Sequence, residues 1–405
     1  MKIAVVVHGR FHAFDLVRAL LKRGHEITVF TNYPKWAAKR FGISPDRVRS
    51  FWPHGVLTRI SGKIRALTGR SLDRWTHPMF GRWAARQLRR EHWDVIHAWS
   101  GVAEEIYRDP GFDRTLKLVM RGSAHIREQD RILAEEQRRA ARRIDRPTGW
   151  MIGREEREYA LANRVIVLSG FAYDSFRSMG CRDSVLRLLP LGTNSRAFRP
   201  DPLVIEQRCA RIVSGKQLRV LYVGNVSFQK GLADMRHVVK QLSDRFQFRF
   251  IGAVPSEAKA VVASIAHEAE FVKKRPQREL PQEYCWGDVF LFPTLQDGFA
   301  VVLAQASAAA LPILTTTNCC GPDLIREGRT GWVLPIRSPE AFVNRLLWCN
   351  SHRRELADMV RAAYHDFKPR DWSEVAADFE AICEEKIAAQ TAMKTPIRVL
   401  SMDPQ

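Results

Sequence analysis

The chain of 405 residues is too long for one ordinary hydrophobic core, so two domains are expected. With 45% hydrophobic and 27% charged residues it has the balance of a globular α/β protein, not of a fibrous or disordered one. A net charge of +20 points to an anionic partner, but no zinc-finger spacing and no basic helix patterned for a DNA groove occurs, which excludes nucleic acid.

The N-terminal MKIAVVVHGR reads as a first strand, Ile3–Val7, and not as a signal peptide. No apolar run approaches the roughly 18 residues of a membrane span. A Gly-bearing loop, Gly9-Arg10-Phe11-His12, leads into a helix over Phe14–Lys22, which Gly24 ends. Glu26–Phe30 is the next strand, giving the β-loop-α-β opening of a doubly wound sheet. Further strands are expected at Val48–Phe51, Asp94–Ala98, Leu116–Met120, Arg164–Leu168 and Leu186–Leu189, with a helix at Gly149–Leu161. Residues 55–75 are basic and aromatic without clear period and read as a mobile surface excursion. After the linker Phe198–Pro202 the same grammar restarts. Strands fall at Arg219–Val223, Gln247–Ile251, Glu270–Val272, Asp288–Phe292, Pro312–Thr316 and Gly331–Leu334, with helices between them. An amphipathic helix from Trp372 to Ala389 is expected to pack back on the first domain. The organisation is therefore 1–200 and 201–370, two Rossmann-like α/β domains facing across a cleft, then a helix at 371–390 and a loose tail at 391–405.

Seven cysteines, an odd number at wide spacing, argue against a disulfide framework and for a reducing cytoplasm. Cys319 and Cys320 read as small buried filler, and no metal site is expected.

The chemistry concentrates in the second half. Residues 289–335 place a Gly-bearing loop, Asp297-Gly298-Phe299-Ala300, between a buried strand and a helix spanning Phe299–Ala310. Unpaired N–H groups at such a helix start attract anions. A weaker phosphate signal, Gly224-Asn225-Val226-Ser227-Phe228-Gln229-Lys230-Gly231, follows the strand ending at Val223, and Lys230 puts a point charge there. It lacks the ending of a Walker loop. Together the two loops read as a site for a diphosphate, that of a nucleotide-sugar. Asp297 is either an N-cap or a group facing the sugar. Gln305, about two turns on, either ties down a neighbouring loop or hydrogen-bonds a ribose. In the first half His125 follows a strand end in Arg121-Gly122-Ser123-Ala124-His125. It is either solvated or aimed into the cleft, where a neutral imidazole serves a sugar or an acceptor hydroxyl. His12 and His97 lie at strand ends in the same layer.

With these residues the chain resembles a retaining glycosyltransferase of family 4, with the GT-B fold, over residues 1 to about 385. The family's Glu-Gly-Phe-Gly loop and second Glu correspond to Asp297, Gly298, Phe299, Ala300 and Gln305, and Asn225 stands where an arginine is common. Ser169, Leu191–Asn194 and Thr317–Asp323 match further segments. The resemblance implies transfer of a sugar from a UDP- or GDP-linked donor to a hydroxyl of a glycan or lipid-linked acceptor, without a cofactor or metal. His125, Asp297 and Lys230 would be catalytic. Gly224, Asn225, Lys230, Val272, Lys273, Gly298, Phe299, Ala300 and Gln305 would hold the donor, with Gly9 and His12 on the acceptor side. Competing expectations are a sugar-nucleotide epimerase or another GT-B enzyme, or a non-catalytic scaffold. The basic first half, with Lys39, Arg40, Arg47, Arg49, Arg65 and Arg70 beside Trp36, Trp52 and Trp75, is either a solvated surface or one that meets an anionic membrane at its cytoplasmic face.

Overall fold

The computed structural model describes residues 1–68 and 71–392; Arg70, the side chain of Arg65 and the tail from 393 lie outside them. The strands are continuous apolar runs because both faces of each sheet are covered, the usual state of parallel sheets. The first sheet holds β1 (Lys2–Val7), β2 (Glu26–Thr31), β3 (Val48–Ser50), β4 (Val95–Trp99), β5 (Leu116–Met120), β6 (Arg164–Val167) and β7 (Leu186–Leu188). The second holds β8 (Leu218–Val223), β9 (Phe246–Ile251), β10 (Glu270–Val272), β11 (Val289–Phe292), β12 (Ile313–Thr316) and β13 (Gly331–Leu334). Their orders are 3-2-1-4-5-6-7 and 10-9-8-11-12-13, with the neighbours parallel, as between β1 and β4 and between β8 and β11. In each sheet the strand order reverses between the first strand and the fourth, and the loops there part to leave a crevice at the carboxyl ends.

Residues 55–75 differ from expectation. Residues 55–68 and 73–75 fall in helices at Trp52–Thr68 and Asp73–Leu88. The second buries Thr76, Phe80, Ala84 and Leu88, four residues apart on one face. Arginines on the other face hid that period in the sequence. The last helix, Trp372–Ala392, runs two residues into the segment read as tail. It lies on the helix Ala13–Lys22. Trp372 stacks on His12 at 6.3 Å, Phe379 meets the ring of His97 at 5.0 Å, and Glu380 binds Arg23 and His25. No helix of the described residues is long and apolar enough to cross a membrane.

The two lobes touch across the crevice. A Cβ on Gly298 would lie 2.3 Å from the carbonyl oxygen of Gly122, so only glycine allows this approach without a shift. Ser123 Oγ donates to Gln296 Oε1 at 2.5 Å, and the Gly170 N–H to Asp323 at 3.0 Å. Arg337 reaches from the second lobe to Glu135 (2.9 Å), Glu136 (3.3 Å) and the Ile132 carbonyl (2.6 Å). Glu136 is fully buried, so its remaining partner Arg139, which also binds Asp234, cannot replace what Arg337 supplies. Arg337→Ala is expected to cost about 2–3 kcal/mol of interlobe contact. Small-angle scattering should show a larger radius of gyration with unchanged circular dichroism.

Candidate active site

A cavity of about 560 Å³ sits where the two crevices face each other. From the first lobe it takes side chains just beyond β1 (His8, Phe11, His12) and at the ends of β4 and β5 (Trp99, Ser100, Met120, Arg121). From the second it takes Val223 and Gly224 after β8, Lys230 beyond them, and Phe292 and Asp297 after β11.

The centre of the second-lobe wall is Asp297. One carboxylate oxygen, Oδ2, accepts from Lys230 Nζ at 2.5 Å. The other, Oδ1, accepts the backbone N–H groups of Phe299 (3.3 Å) and Ala300 (3.1 Å). Asp297 thus closes a turn just ahead of a helix that begins at Val301 and ends at Ala308, shorter than the expected Phe299–Ala310, and no side chain caps that helix. The start is delayed because Ala300 takes φ +55°, a left-handed conformation that costs an alanine about 1 kcal/mol. Lys230 is placed by Gly231, whose φ is +83° and whose Cβ would fall 1.9 Å from the Pro293 carbonyl oxygen. The β8 loop and the β11 loop are locked to each other there. Behind the loop, Cys320 donates its thiol to the Phe299 carbonyl and Cys319 accepts the Gly321 N–H at 3.3 Å. Both are fully buried, and burial pushes the Cys319 thiol up to about 11, so they are inert packing.

Of the residues singled out from sequence, His12, Gly224, Lys230, Asp297, Phe299 and Ala300 line the cavity. Gly9, His125, Asn225, Val272, Lys273, Gly298 and Gln305 do not. His125 caps the helix Ile126–Ala140, its Nδ1 accepting the Arg127 N–H at 3.3 Å. Its ring packs on Phe176 (4.9 Å) and Tyr159 (5.3 Å) inside the first lobe. Gln305 is buried, its Oε1 accepting at 2.9 Å from the hydroxyl of Tyr284 in the helix Leu280–Trp286. Val272 and Lys273 stand at the end of the edge strand β10, two strands from β8 and away from the crevice. Asn225 is exposed, its carbonyl accepting from the Tyr222 hydroxyl. Gly9 gives its carbonyl to Thr31. Gly298 serves the lobe contact instead. His97 is fully buried under Phe379.

Sequence reasoning missed His8, His77 and Arg121. His8 was readable as the residue ending the run Val5-Val6-Val7. His77 was not, because its helix was not recognised. The Arg121 guanidinium is held by Glu155 at 3.0 Å, Gln129 and the Ala124 carbonyl, so its charge is balanced within the first lobe. No group of three His, Cys, Asp or Glu among the described residues is arranged to hold a metal ion.

Comparison with known proteins explains this architecture. Residues 10–196 match the model of Glycosyltransferase Family 4, and residues 217–351 that of Glycosyl transferases group 1. Each lobe of the chain is thus similar to a different glycosyltransferase model. The amylovoran biosynthesis glycosyltransferase AmsK of Erwinia amylovora is 26% identical over 199 residues, 46% of this chain and 47% of the relative. A GDP-mannose-dependent α-(1-6)-phosphatidylinositol monomannoside mannosyltransferase of Mycolicibacterium smegmatis is 24% identical over 234 residues, 52% of this chain and 58% of the relative. The chain therefore spans about half the length of such curated relatives. The structure of Anabaena HepE in complex with UDP-glucose superposes with a TM-score of 0.66 at 13% identity, covering 96% of this chain and 100% of that one. This likeness shows the fold, two facing Rossmann-like domains in the GT-B arrangement.

Burial holds His125 neutral down to a pKa of about 4, against 6.5 for a free imidazole. Between those values the unfolded chain takes up a proton that the folded one refuses, so stability is intact above pH 6.5 and falls as pH drops toward 4. His125→Asn keeps a capping side chain and should remove about 1–3 kcal/mol of that acid loss, read from urea midpoints against pH.

Proposed function

We propose that the protein is a retaining, metal-independent glycosyltransferase. Its donor is a sugar on UDP or GDP, and its acceptor is a hydroxyl of a glycan or lipid-linked glycan, in polysaccharide or glycolipid synthesis. The observation that carries this reading is the convergence of Lys230 Nζ and the Phe299 and Ala300 N–H groups on one carboxylate. The same donors, at the start of a helix and the carboxyl end of a parallel sheet, suit a diphosphate. UDP-glucose in the HepE complex and GDP-mannose in the name of the Mycolicibacterium relative support a nucleotide-sugar and leave both bases in play.

On this reading the entering diphosphate exchanges with the Asp297 carboxylate. Lys230 and the Phe299 and Ala300 amides pass to the phosphates, and Asp297 swings free to accept a sugar hydroxyl. As the C1–O bond to the diphosphate breaks, negative charge grows on the leaving oxygen, where these donors are already aimed. Asp297 is the single carboxylate among the described residues lining the cavity, and once released it serves a sugar hydroxyl. A covalent intermediate needs a carboxylate committed to C1 instead. Reaction on one face therefore fits better: the acceptor oxygen bonds to C1 from the side the diphosphate leaves, and its proton passes to the leaving phosphate oxygen. Closure of the lobes, with the loop at Gly298 against Gly122, keeps water from competing. His125, buried behind the cavity wall, acts by fixing the loop after β5 and not by contact with the sugar. The same absence of a second carboxylate weighs against an epimerase.

The protein is read as cytoplasmic, with its acceptor at the inner membrane face. Trp36, Trp52 and Trp75 are 66%, 58% and 62% exposed, large for tryptophan, and Arg40 and Arg74 lie over Trp36 and Trp75.

Incubation with a panel of nucleotide-sugars should reveal binding and slow hydrolysis of one of them. Lys230→Ala should weaken nucleoside diphosphate binding by about 10- to 100-fold and lower turnover. Asp297→Asn, by removing the competing negative charge, should tighten the nucleoside diphosphate and slow transfer. Weaker nucleotide binding in that variant would refute the exchange. Replacing the three exposed tryptophans by alanine should lower sedimentation with phosphatidylglycerol vesicles, and an unchanged bound fraction would remove the membrane from this account.

A further inference from the structure

At the first-lobe end of the cavity lies a cluster of histidines that the transfer scheme does not use. His8 follows β1, while His54 and His77 come from the helices Trp52–Thr68 and Asp73–Leu88. The His8 ring centroid is 5.3 Å from that of His54 and 5.2 Å from that of His77. His8 and His77 line the cavity, and His54 is buried behind them.

Their hydrogen bonds assign tautomers. His54 Nε2 lies 2.8 Å from the Thr76 carbonyl, which only accepts, so Nε2 carries the proton. His77 Nδ1 lies 2.8 Å from the Gly101 carbonyl, so Nδ1 carries the proton and Nε2 is the ring's acceptor. His8 Nε2 is buried without any hydrogen-bond partner. A polar atom left unpaired at the wall of a cavity is destabilising unless a ligand completes it.

We propose that His8 and His77 form an acceptor subsite for an uncharged sugar or polyol, whose hydroxyls exchange hydrogen bonds with the two imidazoles. The proposal rests on the glycosyl-transfer reading above and names what its first-lobe end receives. Burial lowers all three imidazole pKa values, His8 to about 3, so the cluster holds no positive charge at neutral pH. Arg154, which shares the Gly101 carbonyl with His77, is paired with Glu105 and Glu158, and Arg121 spends its donors on Glu155, Gln129 and a carbonyl. Nothing at this end therefore compensates the charge of a phosphorylated acceptor, whereas neutral imidazoles both donate to and accept from hydroxyls. Trp99 and Ser100 complete the wall with an aromatic face and a further hydroxyl, the usual complement of a sugar ring.

The test uses the full-length protein saturated with UDP or GDP. It titrates methyl glucoside, methyl galactoside, methyl mannoside and myo-inositol against glucose 6-phosphate and inositol 1-phosphate, by saturation-transfer NMR. At least one neutral ligand should bind, and its phosphorylated counterpart should bind about tenfold more weakly or worse. His8→Ala and His77→Ala should each weaken the neutral ligand by about tenfold while leaving the nucleotide within about twofold. If His8→Ala does not fold, His8→Gln with native circular dichroism carries the same expectation. Sugar binding unchanged in the variants, tighter binding of a phosphorylated sugar, or nucleotide binding with no neutral ligand bound each overturns the subsite. Failure of the wild type to bind either nucleotide strikes the donor reading instead, because the two ligands are measured separately.

Discussion

Three donors converge on the carboxylate of Asp297: an ammonium from the loop after β8 and two backbone N–H groups from the loop after β11. This one ion pair with its turn ties two crossover loops of the second sheet into a single rigid wall. The glycine at 231 lets Lys230 come close, and the left-handed Ala300 turns the chain so that the amides point at the carboxylate. A site able to hold a carboxylate this way is preorganised for negative oxygen, since its dipoles are already oriented and need no rearrangement when charge arrives.

The first lobe meets this charged wall with a different chemistry. Its cavity face is made of imidazoles, an indole, small polar groups and an arginine already matched by Glu155. One wall is thus electrically active and the other neutral and hydroxyl-friendly. The division follows the proposed labour of the two lobes, diphosphate on one side and acceptor on the other. The contacts that hold the walls in register are few and polar: Ser123 with Gln296, Arg337 with three acceptors, Gly170 with Asp323. Such interfaces resemble transient ones, which suits a cleft that must open to exchange its ligands.

The environments of three residues around the cavity become intelligible in three dimensions. Aspartate at 297 is short enough to fold back on the loop amides of Phe299 and Ala300. Glutamine at 305 needs no charge to accept from a buried tyrosine hydroxyl. Alanine at 300 holds a backbone conformation natural to glycine, and the cost is absorbed by the packing around a residue only 6% exposed.

The sequence alone determined the two α/β units, nearly every strand and the two Gly-bearing loops at the strand ends. Those follow from local signals: apolar runs of strand length, glycines at strand ends, and a lysine two residues before a helix. It did not determine which side chains enter the cavity. His125 and Gln305 sit at a helix cap and inside a helix, where the side chain faces inward or outward by a rotation of the backbone no periodicity specifies, and packing against Phe176 and Tyr284 turned both away. The helix that delivers His77 was obscured because its arginines face solvent and its apolar stripe is narrow. Tertiary structure alone brought His8 beside His77, since their separation of sixty-nine positions is closed by the order of the strands, which no local pattern encodes.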